Sequence, residues 1–176
     1  AEGVQPDLLA LAKGLTGGYL PMAATLAAQP IFDAFLGDYE EFKTFFHGHS
    51  FTGNQLGAAA ALASLGVLAS PQSQANRRAL ENNLRLQLDT LWSLPAVGDI
   101  RQVGLAAGVE LVKNWKTREP FPLEKRAGIR VCEGMARRGV LTRPVGNVIV
   151  LMPPYCATSR QIEQIVASLR ASIADL

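Results

Sequence analysis

The sequence predicts a mixed α/β chain in two lobes. Residues 1–70 read as short strands with an alanine-rich helix. Residues 71–176 read as a long linking helix followed by an α+β lobe around an antiparallel sheet. Three observations predict this. Apolar runs of strand length are punctuated by Gly and Pro; leucines recur at 80, 84, 88 and 91 in steps of three and four; and from residue 97 the pattern runs strand, strand, helix, strand, strand, helix.

The bulk numbers set the limits. The chain has 176 residues, 48% of them hydrophobic and 18% charged, a composition that builds a core rather than a disordered segment. Its net charge of +2, with only scattered basic doublets such as Arg77-Arg78 and Arg137-Arg138, disfavours a nucleic-acid or acidic-membrane binder. Cys132 and Cys156 cannot make a disulfide framework or a CxxC metal pair, so a reduced, cytoplasmic setting is expected. The apolar run Leu56 to Ala69 is too short and too rich in small residues for a membrane span and reads as a buried helix. No secretory leader is visible. The chain starts at Ala1 and enters an apolar run almost at once, which suggests a piece of a longer protein.

Each element has its own signal. Asp7 to Ala12 reads as a buried strand running into a glycine turn at Gly14 and Gly17-Gly18, and Met22 to Ala27 as a second strand. Pro30 is placed to open a short helix reaching about Leu36. Pro71 opens the long helix. Ile100 to Val103 and Ala106 to Val112 read as strands. A helix from about Leu123 to Arg138 follows, with Gly139 as its left-handed stop. Gly146-Asn147 is a hairpin turn between Val140 to Val145 and Val148 to Met152. Thr158 and Gln161 have capping-box spacing ahead of a helix with Ile162, Ile165, Val166, Leu169 and Ile173 on one face.

Three places carry chemistry. Lys13 ends an apolar strand beside a flexible turn; desolvation there would favour a nucleophilic neutral amine. A lysine that simply snorkels to solvent gives the same pattern. His47 to Asn54 combines glycines and hydroxyls ahead of a helix, where exposed N–H groups favour a phosphate, although such a loop also serves only to cap its own helix. His47 and His49 lack the further ligands a metal needs, so no metal is expected. Arg143, held extended by Pro144, suits bidentate capture of a carboxylate; a solvated edge-strand arginine looks alike. Phe42, Phe45, Phe46 and Phe51 read mostly as packing. Lysine amine, phosphate-accepting loop and carboxylate-binding arginine are complementary in pyridoxal 5'-phosphate chemistry.

At these residues the chain resembles a family. PDLLALAKGLTGGYLPMAATL, residues 6–26, is similar to the cofactor-lysine segment of the class III (subgroup II) aminotransferases, and HGHSFTGNQLGAAAAL, residues 47–62, to their phosphate loop and helix. RPVGNVIVLMPPY, residues 143–155, resembles the carboxyl-terminal signature of the biotin-synthesis branch, the adenosylmethionine–8-amino-7-oxononanoate (7,8-diaminopelargonate) aminotransferases. The resemblance implies fold type I of the pyridoxal-phosphate enzymes, with 1–70 the end of the large cofactor-binding domain and 71–176 the linking helix and small domain.

It also implies roles. Lys13 would carry the internal aldimine and move the proton in both half-reactions. His49 and Ser50 would meet the cofactor phosphate, in this family from the neighbouring subunit of a homodimer with shared sites. Gly48 would lie along the substrate, and Arg143 would bind its carboxylate. S-adenosylmethionine would give the amino group to 8-amino-7-oxononanoate, yielding 7,8-diaminononanoate. His49-Ser50 stands where the family commonly has Pro-Thr. The resemblance covers only the family's carboxyl-terminal part. The aspartate for the pyridine nitrogen, the first phosphate loop and pocket aromatics would lie elsewhere, which leaves this segment alone incomplete. The alternatives are another class III ω-amino acid aminotransferase, or a non-catalytic domain of this fold.

Overall fold

Short apolar runs separated by turn residues become strands and helices in the computed structural model, which describes residues 3–48 and 50–176. The chain divides into two units, Ala1–Ser73 and Gln74–Leu176.

In the first unit, β1 (Leu8–Leu11) and β2 (Ala24–Ala27) form an antiparallel ribbon with Leu8 opposite Ala27 and Leu11 opposite Ala24. A 3-10 turn, Lys13–Thr16, follows β1 and ends on Gly17, whose φ of +63° a side chain would strain. A short helix, α1 (Gln29–Asp33), comes next, with Pro30 in its first turn. Then α2 (Gln55–Ala69) starts at Asn54, whose Oδ1 accepts from the N–H groups of Leu56 (2.9 Å) and Gly57 (3.3 Å).

The small side of α2 meets the turn. Gly57 and Ala61 are its buried residues, the Gly57 side lies against Met22, and Ser64 Oγ donates to Gly14 O at 3.3 Å. The buried Thr16 donates to Leu20 O at 2.5 Å.

Two expectations need correction here. The strand read as buried has all four β1 residues exposed, and the helix read as buried leaves Leu62 73% exposed. The physical reason is that the described residues of its own unit do not pack a layer over the two-stranded ribbon. Likewise α2, apolar around its whole girth, is covered only along a stripe of small residues. The phenylalanines are exposed too, and pair among themselves: Phe35 with Phe45 and Phe42 with Phe46, both at 5.2 Å between ring centres.

The second unit has a core of its own. Its helix α3 (Pro71–Asp89), which starts in the last residues before the unit boundary, buries Leu80, Leu84 and Leu88. Leu91 follows in a 3-10 turn and is also buried. The sheet runs β3 (Val97–Val103), β4 (Ala106–Asn114), β7 (Val148–Leu151), β6 (Arg143–Val145), with β5 (Glu119–Pro120) also on β4. Every pairing is antiparallel. One face is apolar: Ala107 opposes Leu151 and Val109 opposes Ile149, all four buried in one cluster with Val131 and Met135 of α4 (Ala127–Arg137) and with Ile162, Val166 and Leu169 of α5 (Ser159–Ala174). The capping box of α5 is formed, with Thr158 N–H donating to Gln161 Oε1 (2.8 Å) and Gln161 N–H to Thr158 Oγ1 (3.2 Å).

The helix expected from Leu123 is shorter. Leu123–Lys125 is a 3-10 turn, Arg126 is left-handed at φ +50°, and α4 proper begins at Ala127. Exposed Leu123 gives an α-helix no apolar face to extend over. Gly139, at φ +81°, is the left-handed stop.

Since Leu84 is fully buried and Leu86 on the same helix is 65% exposed, the two should respond differently. Leu84→Ala should lower unfolding free energy by about 2–5 kcal/mol. Leu86→Ala should change it by less than about 0.5 kcal/mol. Urea denaturation followed by the fluorescence of Trp92 and Trp115, both in this unit, measures the difference.

Candidate functional site

Lys13 is the first residue after β1 with unusual backbone. Its φ is +49°, a left-handed conformation that costs a side-chain-bearing residue about 1 kcal/mol or more. The β1–β2 ribbon fixes its N-terminal side, and the Ser64 hydroxyl holds the next residue, Gly14, on its C-terminal side. The strain therefore persists because the surroundings define it. The amine stands exposed, so the desolvated strand end anticipated for it is not supplied by this chain; bare β1 offers no apolar cover.

The loop ahead of α2 is the second place. Ser50 to Leu56 line an open concavity of about 430 Å³, and Ser50 is exposed in a turn. The loop leads into the N-terminus of a helix of 15 residues, where peptide dipoles favour an anion. Asn54 takes two of the helix-end N–H groups, so the loop does cap its own helix, as the plainer reading held. The Ser50 hydroxyl lines the same concavity. Gly48 is open: a Cβ there would meet only Thr52 Oγ1, at 3.9 Å. Among the described residues nothing demands glycine at that position. His49 lies outside the described residues. His47 packs its ring on Phe45 at 5.4 Å.

Arg143 lies in the second unit, on the first residue of edge strand β6. It opposes Val150, which opposes Gly108, which opposes Arg101 on β3. These four residues form one row across the face of the sheet opposite the core, with the arginines about 14 Å apart at three strand spacings. Arg101 is engaged, donating to Asp99 at 2.6 Å and Glu110 at 2.8 Å. The Glu110 bond, then the Asp99 bond, hold its guanidinium above even its usual basicity. Arg143 differs: no carboxylate among the described residues pairs with it. It borders a concavity of about 480 Å³ with Leu141, Val150, Met152 and Ile165. An unpaired guanidinium beside aliphatic side chains suits a carboxylate carried on an apolar chain. Sequence reasoning missed Arg101 as the contrasting case, since its two acidic partners come from neighbouring positions on two strands.

Comparison with known proteins decides the family. Residues 1–173 match the Aminotransferase class-III family. The chain belongs to the class III aminotransferases. Class III relatives include the adenosylmethionine-8-amino-7-oxononanoate aminotransferase of Geobacter sulfurreducens, 51% identical over 175 residues, covering 98% of this chain and 38% of the relative. The crystal structure of the enzyme of that name from Methanocaldococcus jannaschii superposes with a TM-score of 0.90 at 43% identity, covering 97% of this chain and 39% of that one. An amine transaminase from an uncultivated Pseudomonas species, solved in its PLP-bound internal aldimine form, gives 0.87 at 35% identity over 98% of this chain and 39% of that chain. The α/β fold expected, that of the fold type I enzymes, is therefore the one present. The chain spans about two fifths of the length of these relatives.

Class III aminotransferases depend on pyridoxal phosphate, and the residues in hand fit that group. An exposed primary amine is what an aldehyde needs, and a hydroxyl loop at the positive end of a long helix suits a phosphate. Lys13 and Ser50 belong to the first unit and Arg143 to the second.

Replacing Asn54 with Ala removes the acceptor for the Leu56 and Gly57 N–H groups. Amide hydrogen exchange at those two residues should accelerate, with a loss of about 1 kcal/mol in local stability; Asn54→Asp should stay near the parent.

Proposed function

We propose that the chain is the lysine- and arginine-bearing part of an S-adenosylmethionine:8-amino-7-oxononanoate aminotransferase of biotin synthesis. The observation that carries this is Lys13, an exposed amine on a backbone held left-handed between a strand ribbon and Ser64. The three motifs, in family order, and the relatives bearing that activity's name support the choice of branch. Donor and acceptor would be S-adenosylmethionine and 8-amino-7-oxononanoate. A homodimer with shared sites, in the cytoplasm, completes the reading; the two cysteines are free thiols, which suits a reducing compartment.

Bound pyridoxal phosphate supplies an aldehyde that condenses with amines and a ring that accepts electrons. Several of the chain's own residues would act beside it. Lys13 Nζ would hold the cofactor, and as a free amine it would be placed to take the proton from the substrate carbon that bears nitrogen. In the second half-reaction it would return a proton to the acceptor carbon. Ser50, with the N-terminus of α2 behind it, would hold the phosphate, and His49 is assigned beside it on the motif alone. Gly48 would let the substrate pass close to backbone. Arg143 would hold the carboxylate end, with Leu141 and Met152 beside the aliphatic part.

In the complete protein Lys13→Ala should lower turnover by about a thousandfold or more and abolish borohydride fixation of the cofactor to the peptide containing residue 13. Fixation undiminished in that variant would assign the role to another lysine. A donor screen discriminates the branch. S-adenosylmethionine should support transamination, and ornithine or 4-aminobutyrate should not; the reverse result would move the protein to an ω-amino acid branch. A colourless protein indifferent to the cofactor would mark a non-catalytic relative.

A further inference from the structure

We propose that the hydroxyl of Thr142 positions Arg143 for the acceptor carboxylate, an inference that rests on the reading of Arg143 as the carboxylate-binding group. Strand β6 is a weak support by itself. It has three residues, lies at the sheet edge and pairs only with β7. Its middle residue, Pro144, has no N–H to give to the ladder. The turn end of the hairpin is anchored by other means: Asn147 Nδ2 donates to Phe121 O at 2.7 Å, and Asn147 O accepts from Leu111 N–H at 2.9 Å. Gly128 lets α4 approach there, since a Cβ would collide with Gly146 O and come within 2.8 Å of Pro144 Cβ.

Arg143 stands at the other end of the strand from that turn. There Thr142 Oγ1 donates to the carbonyl of Val150, the residue opposite Arg143 in the ladder. Upstream, Val140 N–H donates to Met135 O at 3.0 Å. Between that tether and the strand, the Thr142 hydroxyl is the side-chain pin next to the guanidinium-bearing residue. Thr142 is half-buried and Arg143 exposed, as neighbours on opposite sides of a pleat should be. Pinning Thr142 to β7 therefore fixes where the Arg143 Cα stands and the direction in which its side chain leaves the strand.

The test uses the complete, cofactor-loaded protein and two acceptors: 8-amino-7-oxononanoate, and the matching amino ketone that ends in a methyl group instead of a carboxylate. Thr142→Val should raise KM for the carboxylate acceptor about fivefold, change kcat less than about twofold, and leave the methyl-ended acceptor unaffected. Thr142→Ser, which keeps the hydroxyl, should restore the parent KM. If the valine variant fails to fold, Thr142→Ala repeats the removal; failure of both would make the hydroxyl a folding group and overturn the proposal. An unchanged KM in Thr142→Val, an equal effect on both acceptors, or a serine variant as impaired as the valine one would each overturn it as well. Arg143→Met separates the two levels. If it raises KM for the carboxylate acceptor while Thr142→Val does not, only the positioning role falls. If Arg143→Met leaves that KM unchanged, the reading of Arg143 falls and this inference with it.

Discussion

Apolar surface that the chain does not itself cover governs the first unit. Among the described residues of this unit no layer packs over the ribbon of β1 and β2, and α2, apolar around its circumference, buries Gly57 and Ala61. Exposed leucine in such quantity is unfavourable in water by about 25 cal/mol for each Å². An isolated two-stranded ribbon is marginal without a packed face. What this chain does define is local: the turn from β1 through Lys13 to Gly17, clasped by Ser64 and closed by Thr16. Relatives more than twice as long have the material to cover the rest.

The second unit rests on the opposite condition, and it was also the part most readable from sequence. Leu80, Leu84, Leu88 and Leu91 follow a period that only a helix buries on one side, and all four are buried. The Thr158–Gln161 cap, the Gly146–Asn147 turn and the Gly139 stop were each announced by residue types with a single conformational use. Reading failed where burial depends on neighbours rather than on pattern. Apolar strand and helix segments of the first unit looked like core because they are apolar, but no periodicity says which partner covers them. The start of α4 was placed four residues early because Leu123 continues the hydrophobic count while lying on the outside.

The candidate site residues divide along the same line. Lys13, Ser50 and Arg143 could be named from residue type and local context, but what distinguishes them is three-dimensional. The left-handed backbone at Lys13 has no signal in the sequence, because lysine is not a residue that favours it. Arg101 and Arg143 look alike in one dimension; strand register puts Asp99 and Glu110 beside the first and none beside the second. Cys132, by contrast, is withdrawn from chemistry: burial pushes its thiol up and away from the reactive thiolate.

The two charged groups are consequently held in different ways, and the difference matters for what each can do. An amine that must leave a covalent bond and then carry a proton needs freedom at its tip and a fixed root. Lys13 has both, with a long flexible side chain on a backbone locked between a ladder and a hydroxyl. A guanidinium that must present two parallel donors to a planar carboxylate needs its whole length directed, because a small rotation at Cα is magnified along four side-chain bonds. An edge strand of three residues, paired with β7 on one side, gives that direction little backbone support. The side-chain hydrogen bonds of Thr142 and Asn147, with the close approach at Gly128, add to that pairing. They leave the outward face of β6 unobstructed. That combination, an edge strand open on one side and fixed by side chains on the other, sets Arg143 apart from Arg101, whose guanidinium is already held by Asp99 and Glu110.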